Sequence, residues 1–306
     1  MKRLVAIVGP TGVGKSRLAL HLAGLFHGEI VSADSRQVYR RLDIGTAKPS
    51  PEEMAAIPHH LIDIVNPDED FNLARYLEMA NQAIGDIHRR GRLPFLVGGT
   101  GLYVKAVLEG WQTPGVSPDP RFRYNIERRA GEGGAAELYA ELAQVDPEAA
   151  RKIDPRNVRR VMRALEVYAG AARPFSELGK KKAPTFDSFV IGLTAARPVL
   201  YEMVDRRVDA MFARGLVREV ESLQKMGYDL NLSSMSGIGY RQVGQFLRGE
   251  STLEEAGKKM KTETHRFIRH QYAWFRLADE TIHWFDAGRR DDMEIERALA
   301  GFLASK

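Results

Sequence analysis

The chain predicts an α/β fold, a parallel sheet flanked by helices with a helical subdomain inserted into it. Three observations point there. Apolar runs of strand length alternate with helix-spaced segments over roughly the first 110 residues. A glycine-rich loop of the pattern G-x-x-x-x-G-K-[ST] lies between the first such run and the first such helix. A proline-rich boundary then opens a charged, helix-patterned stretch, after which an apolar run returns to the sheet.

The elements follow in order. Leu4 to Val8 is an unbroken apolar run and reads as a buried strand. The loop Gly9-Pro10-Thr11-Gly12-Val13-Gly14-Lys15-Ser16 comes next, and Arg17 to Leu25 has apolar residues at helical spacing. Strand, loop and helix in that order make the sheet P-loop NTPase-like. Glu29 to Ala33 reads as a second strand ending at Asp34. A helix is expected from about Leu73 to Arg90, with Ala74, Leu77, Ala80, Ile84 and Ile87 on its inner face. Leu93 to Val97 is a third strand, closed by Gly98-Gly99-Thr100-Gly101. Three prolines between Thr113 and Pro120 mark the boundary. The expected division is residues 1–113 for the first part of the core, 114–186 for the helical insertion, ending near Gly179-Lys180-Lys181-Lys182, and 187–306 for the completion of the core. Phe189 to Leu193 is the return strand, a long helix runs from about Leu253 to Leu277, and Ile282 to Phe285 is a last strand.

Bulk properties narrow the function. At 306 residues the chain can bury a large core, and 44% hydrophobic with 28% charged residues is ordinary for a globular protein. The absence of cysteine excludes disulfides, thiolate nucleophiles and cysteine-held zinc, and suits a reducing cytoplasm, where the protein is expected. No apolar run approaches the roughly 20 residues that span a bilayer, so no membrane partner is expected. A net charge of +5 hints at a polyanionic partner.

The loop from Gly9 to Ser16 points to a phosphorylated ligand. Its amides and the following helix N-terminus converge on phosphate oxygens, Lys15 adds a point charge, and Ser16 can hold Mg²⁺. Asp34 at a neighbouring strand end suits magnesium ligation or general base catalysis, or it simply caps a turn. Beside it, Arg36 can stack on a base or grip phosphate and Gln37 can pair with an adenine edge, unless both are solvated turn residues. After the third strand an ATP-using enzyme would carry a carboxylate to hold Mg²⁺; here glycines and Thr100 stand instead. The Thr100 hydroxyl can bond a phosphate oxygen, or the stretch is a plain glycine turn. Two basic clusters lie elsewhere. One is Arg156, Arg159, Arg160 and Arg163; the other runs from Lys258 to Arg276 with Phe267, Tyr272, Trp274 and Phe275 interleaved. Each is a solvated face or a surface for single-stranded or loop RNA. His59-His60 reads as a structural pair in a loop, without metal-ligand spacing. On the residues alone, a small-molecule P-loop kinase and an RNA-binding nucleotide switch both stay open.

Several collinear segments closely resemble the tRNA dimethylallyltransferases, also called tRNA isopentenyltransferases. They are Gly9-Pro10-Thr11, Asp34 to Tyr39, Asp43 to Pro49, His59 to Asp63 and Gly98 to Tyr103, then Arg163 to Val167, Gly215 to Val220, Ile238 to Arg241 and Trp274 to Arg276. The resemblance implies transfer of a dimethylallyl group from dimethylallyl diphosphate to the adenosine next to a tRNA anticodon. The diphosphate would lie on Gly9, Thr11, Gly12, Val13, Gly14, Lys15 and Ser16, with Mg²⁺ on Ser16. Asp34 would accept a proton or hydrogen bond from the adenine amine, Thr100 would position substrate, and Arg207 would neutralise diphosphate charge. Ser35, Arg36 and Gln37 would hold the flipped base, and Arg123, Arg159, Arg160 and Arg163 would grip the anticodon stem-loop of a tRNA bound by a monomer. The chain departs from the family pattern at Met203, where a basic residue is usual, and at His265-Arg266 and Arg269-His270 in the late helix.

Overall fold

Continuous apolar character on both faces requires burial on both faces, and β1 (Lys2–Val8) shows it: Leu4 to Val8 are fully buried, with a parallel neighbour on either side. The computed structural model describes residues 2–178, 182–289 and 292–305. Next come α1 (Lys15–Leu25), β2 (Gly28–Ser32), α2 (Pro51–Ala56), β3 (His59–His60), α3 (Leu73–Arg89), β4 (Leu93–Val97) and α4 (Gly101–Leu108). Five helices follow: α5 (Pro120–Arg129), α6 (Ala135–Val145), α7 (Pro147–Lys152), α8 (Val158–Ala171) and α9 (Phe175–Leu178). The chain then returns through β5 (Phe186–Thr194), α10 (Arg197–Ala213), α11 (Leu216–Lys225), α12 (Tyr240–Leu247), α13 (Leu253–Trp274), β6 (Ile282–Asp286) and α14 (Asp292–Ala304).

The strands form one parallel sheet in the order β3-β2-β4-β1-β5-β6. Because every connection is a crossover, the loops after β1, β2 and β4 emerge along one edge, where ligand groups gather in sheets of this kind. Two expectations are corrected. His59-His60 is not a loop but a short strand paired with Ile30 and Val31; the His60 ring meets the Glu29 carboxylate at 2.7 Å, and Glu29 also accepts from Arg90. In α3 the inner face carries Tyr76 in place of Ala74, which is exposed; Tyr76 is fully buried, stacks on Tyr103 and donates to the Ser32 carbonyl.

By internal contacts the chain divides into two compact units, Met1–Leu108 with Thr185–Lys306, and Glu109–Pro184. The smaller is a helical bundle around Ile126, Leu138, Leu142, Val161, Met162 and Leu165. Its buried Glu166 accepts from Arg123, Arg163 and the Asp119 amide. Burial alone would raise the Glu166 pKa, but those donors outweigh it and hold the carboxyl down at about 2. Of the polar stretch expected to end the insertion, Gly179 to Lys181 lie outside the described residues.

Candidate functional site

The loop after β1 takes its shape from glycine. Gly14 has φ 96°, a left-handed conformation costly for other residues, and from there the chain turns directly into α1. Lys15, first residue of that helix, folds back so that its ammonium donates to the Pro10 carbonyl at 2.7 Å. Burial lowers the Lys15 pKa to about 7; Arg207 pushes the same way and Asp34 opposes. Burial also lowers Arg207, again opposed by Asp34. Two cations and one carboxylate thus act on one another along the wall of one cavity. Such an arrangement gains from an arriving anion, which offsets the burial of both cations and favours the charged form of Lys15.

Asp34 follows β2, and its Oδ1 accepts from the Arg36 amide at 2.8 Å and the Gln37 amide at 3.4 Å. The cap and the placement beside the phosphate loop coexist. Thr100 follows β4, and its Oγ1 accepts from the Ser35 amide at 3.1 Å, joining the β2 and β4 loops. All three loops line one cavity of about 800 Å³, with Thr11, Gly12, Gly14, Lys15, Ser16, Asp34, Ser35, Arg36, Gln37, Thr100 and Arg207 on its walls. Met203, Val204, Met211, Met260 and Phe267 add an apolar side. This volume exceeds what a diphosphate alone needs.

Some residues named from sequence have other partners. The Arg36 guanidinium donates to the Ser233 and Ser234 carbonyls and to Ser236 Oγ. The Gln37 amide donates to the Thr46 and Ala47 carbonyls and accepts from Ser32 Oγ. In the helical unit Arg123 and Arg163 are paired with Glu166, whereas Arg159 and Arg160 are exposed on α8. Of the four aromatic residues named on the late helix, Phe267 lies exposed on the cavity wall and the other three have partners within the fold. Phe275 is buried, the Tyr272 hydroxyl bonds Thr194, and Trp274 packs where a Cβ on Gly101 would come within 2.2 Å of its ring. The interleaving with basic residues reflects a helix with one face turned to the protein interior.

Two residues lie within segments noted from sequence but are given no role there. Glu219 on α11 accepts from the Asp43, Ile44 and Gly45 amides and from the Tyr240 hydroxyl, pinning a loop whose carbonyls orient Gln37. Gln271 on α13 accepts from the Thr11 amide at 2.8 Å and donates to the Gly99 carbonyl at 3.1 Å. Both act across long stretches of chain, so no local pattern exposes them. Among the described residues there is no group of three His, Cys, Asp or Glu that could hold a metal, and no helix long and apolar enough to cross a membrane.

Fold and cleft define a P-loop α/β protein with a substrate-sized cavity at its sheet edge. The IPP transferase family profile matches residues 37–278, and an isopentenyl transferase profile matches residues 2–63. A tRNA dimethylallyltransferase of Roseiflexus castenholzii is 58% identical over 273 residues, 89% of each chain. That of Dehalococcoides mccartyi is 50% identical over 301 residues, 98% of this chain and 93% of the relative. Among solved structures, the full-length tRNA isopentenylpyrophosphate transferase of Bacillus halodurans is 42% identical with a TM-score of 0.74, covering 99% of this chain and 97% of its own. A eukaryotic dimethylallyltransferase captured acting on tRNA is 29% identical with a TM-score of 0.83, covering 98% and 78%. The chain belongs to the tRNA dimethylallyltransferase family.

Proposed function

We propose that the cavity holds two reactants end to end, dimethylallyl diphosphate on the Gly9–Ser16 loop and a tRNA adenosine beside Asp34 and Thr100. The reaction is the family's own: the dimethylallyl group passes to the exocyclic N6 amine of the adenosine 3′-adjacent to the anticodon, giving N6-isopentenyladenosine and diphosphate. The observation that carries the assignment of roles is the meeting of a phosphate loop, Asp34, Thr100 and Arg207 around one cavity.

The C1–O bond of the allylic diphosphate breaks with its electron pair leaving on oxygen, so negative charge grows there while C1 becomes cationic. Loop amides, Lys15 and Arg207 stabilise the leaving charge, and they are preorganised because the fold already holds them. The N6 lone pair forms the new C–N bond, and the amine proton passes to the Asp34 carboxylate. Asp34 is well placed because its Oδ1 is fixed by the two turn amides. Thr100 Oγ1 accepts from the Ser35 amide and donates to Ser35 Oγ at 3.5 Å, a long bond that a substrate oxygen can replace. The adenine must leave its stack to enter, and the walls from Ser35 to Gln37 receive it.

Magnesium fits this site in a specific way. With no three-carboxylate cluster among the described residues, the ion would rest on Ser16 Oγ, diphosphate oxygens and water, which matches how Mg²⁺ is held in phosphate sites. Bound there, it supplies charge neutralisation at the leaving group. Asp34→Ala tests the assignment. Single-turnover transfer should fall by about 10²- to 10⁴-fold, the usual size of general-base effects, with affinity for dimethylallyl diphosphate kept. Transfer at the unsubstituted rate would remove Asp34 from the mechanism.

A further inference from the structure

We infer that Gln271 is a positioning residue for the transfer, fixing the gap between the loop that holds the leaving group and the loop that holds the acceptor. The inference rests on the roles assigned above. Gln271 is only 3% exposed, and both ends of its planar amide are engaged: Oε1 accepts from Thr11 N–H, in the phosphate loop, and Nε2 donates to the carbonyl of Gly99, next to Thr100. From Thr100 the chain of bonds continues to the Ser35 amide and so to the residue beside Asp34. Donor loop, α13 and acceptor loop are thus joined through one side chain. A rigid amide with a donor and an acceptor a fixed distance apart sets that spacing. Neither a carboxylate nor an apolar group of similar length satisfies both ends, and a buried group left unpaired is costly.

Gly99 bears on the same contact. Its φ is not in the left-handed region, so backbone conformation does not demand glycine there. A Cβ at this position would instead stand 2.2 Å from Gln271 Nε2, while the next atoms lie at 3.4 Å and beyond. A side chain at 99 would displace the Gln271 amide before any other nearby group.

If Gln271 sets spacing, losing it should slow transfer without weakening either substrate, because each loop keeps its own ligand contacts. A misplacement of about 1 Å between reacting groups costs up to about 100-fold. The experiment compares Gln271→Ala, Gly99→Ala and the double variant with the unsubstituted chain. It reads single-turnover transfer and, separately, the Kd for dimethylallyl diphosphate and for an anticodon stem-loop RNA. Each single variant should transfer about 10- to 100-fold more slowly with both Kd values within about threefold. Gly99→Ala should add little to Gln271→Ala, since the group it collides with is gone. Gln271→Ala at full rate, a loss confined to one Kd, or full additivity of the two variants overturns the inference. Should Gln271→Ala fail to fold, Gly99→Ala alone decides, and its full rate also overturns it. No transfer by the unsubstituted chain would instead defeat the functional reading itself.

Discussion

Lys15 shows how much of the site's chemistry is settled by single residues. In the free protein its pKa of about 7 means that the ammonium is neutral over much of the range between about 7 and its ordinary 10.5. A diphosphate beside it favours the charged form and raises that pKa again, so binding above pH 7 takes up a proton. The sign follows: affinity for dimethylallyl diphosphate falls as pH rises from about 7.5 to 9.5, by up to about tenfold per unit. Calorimetry in two buffers of different ionisation heat measures the uptake directly. An affinity independent of pH over that window would contradict it. Residues of this kind were readable from the sequence because their signals are local. A phosphate loop is eight contiguous positions, and Asp34 and Thr100 stand at the ends of apolar runs. Gln271 was not readable in this way, since its partners Thr11 and Gly99 lie 260 and 172 positions away.

At the scale of elements, the strands and long helices follow from periodicity, and what periodicity missed has physical causes. The β3 strand is two residues long and held by the Glu29 contact to His60, so it has no apolar run to announce it. The late helix carries charges and aromatics together, and only tertiary packing shows that Phe275 is buried and that Trp274 lies against Gly101 of α4. Glu219 supports the loop from Asp43 to Gly45 through three amides. Glu219→Ala leaves those donors and the Tyr240 hydroxyl without their acceptor, and should cost roughly 3 kcal/mol of stability, read from the urea midpoint at unchanged slope. A midpoint equal to the parent's would show that water replaces the carboxylate without loss. In the helical unit, Arg159 and Arg160 are the exposed pair on α8. Arg159→Ala with Arg160→Ala should weaken stem-loop RNA binding and flatten its dependence on log salt by about 1.4 to 1.8, as expected for two phosphate contacts. Diphosphate affinity should not change, and an equal loss of both affinities would defeat this division of labour.

For the whole molecule, the parallel sheet gathers the loops after β1, β2 and β4 at one edge, and the resulting cavity can take a diphosphate and a base together. The missing carboxylate after β4 separates this use of a phosphate loop from ATP hydrolysis. Group transfer of this kind needs little else: a stabilised leaving group, a fixed acceptor and a proton acceptor. The most direct measurement is transfer of labelled dimethylallyl from its diphosphate to a tRNA anticodon stem-loop, with Mg²⁺ and without ATP. Label on N6 of the adenosine 3′-adjacent to the anticodon is the predicted result. No label on the RNA, with ATP hydrolysed when supplied, would contradict the account.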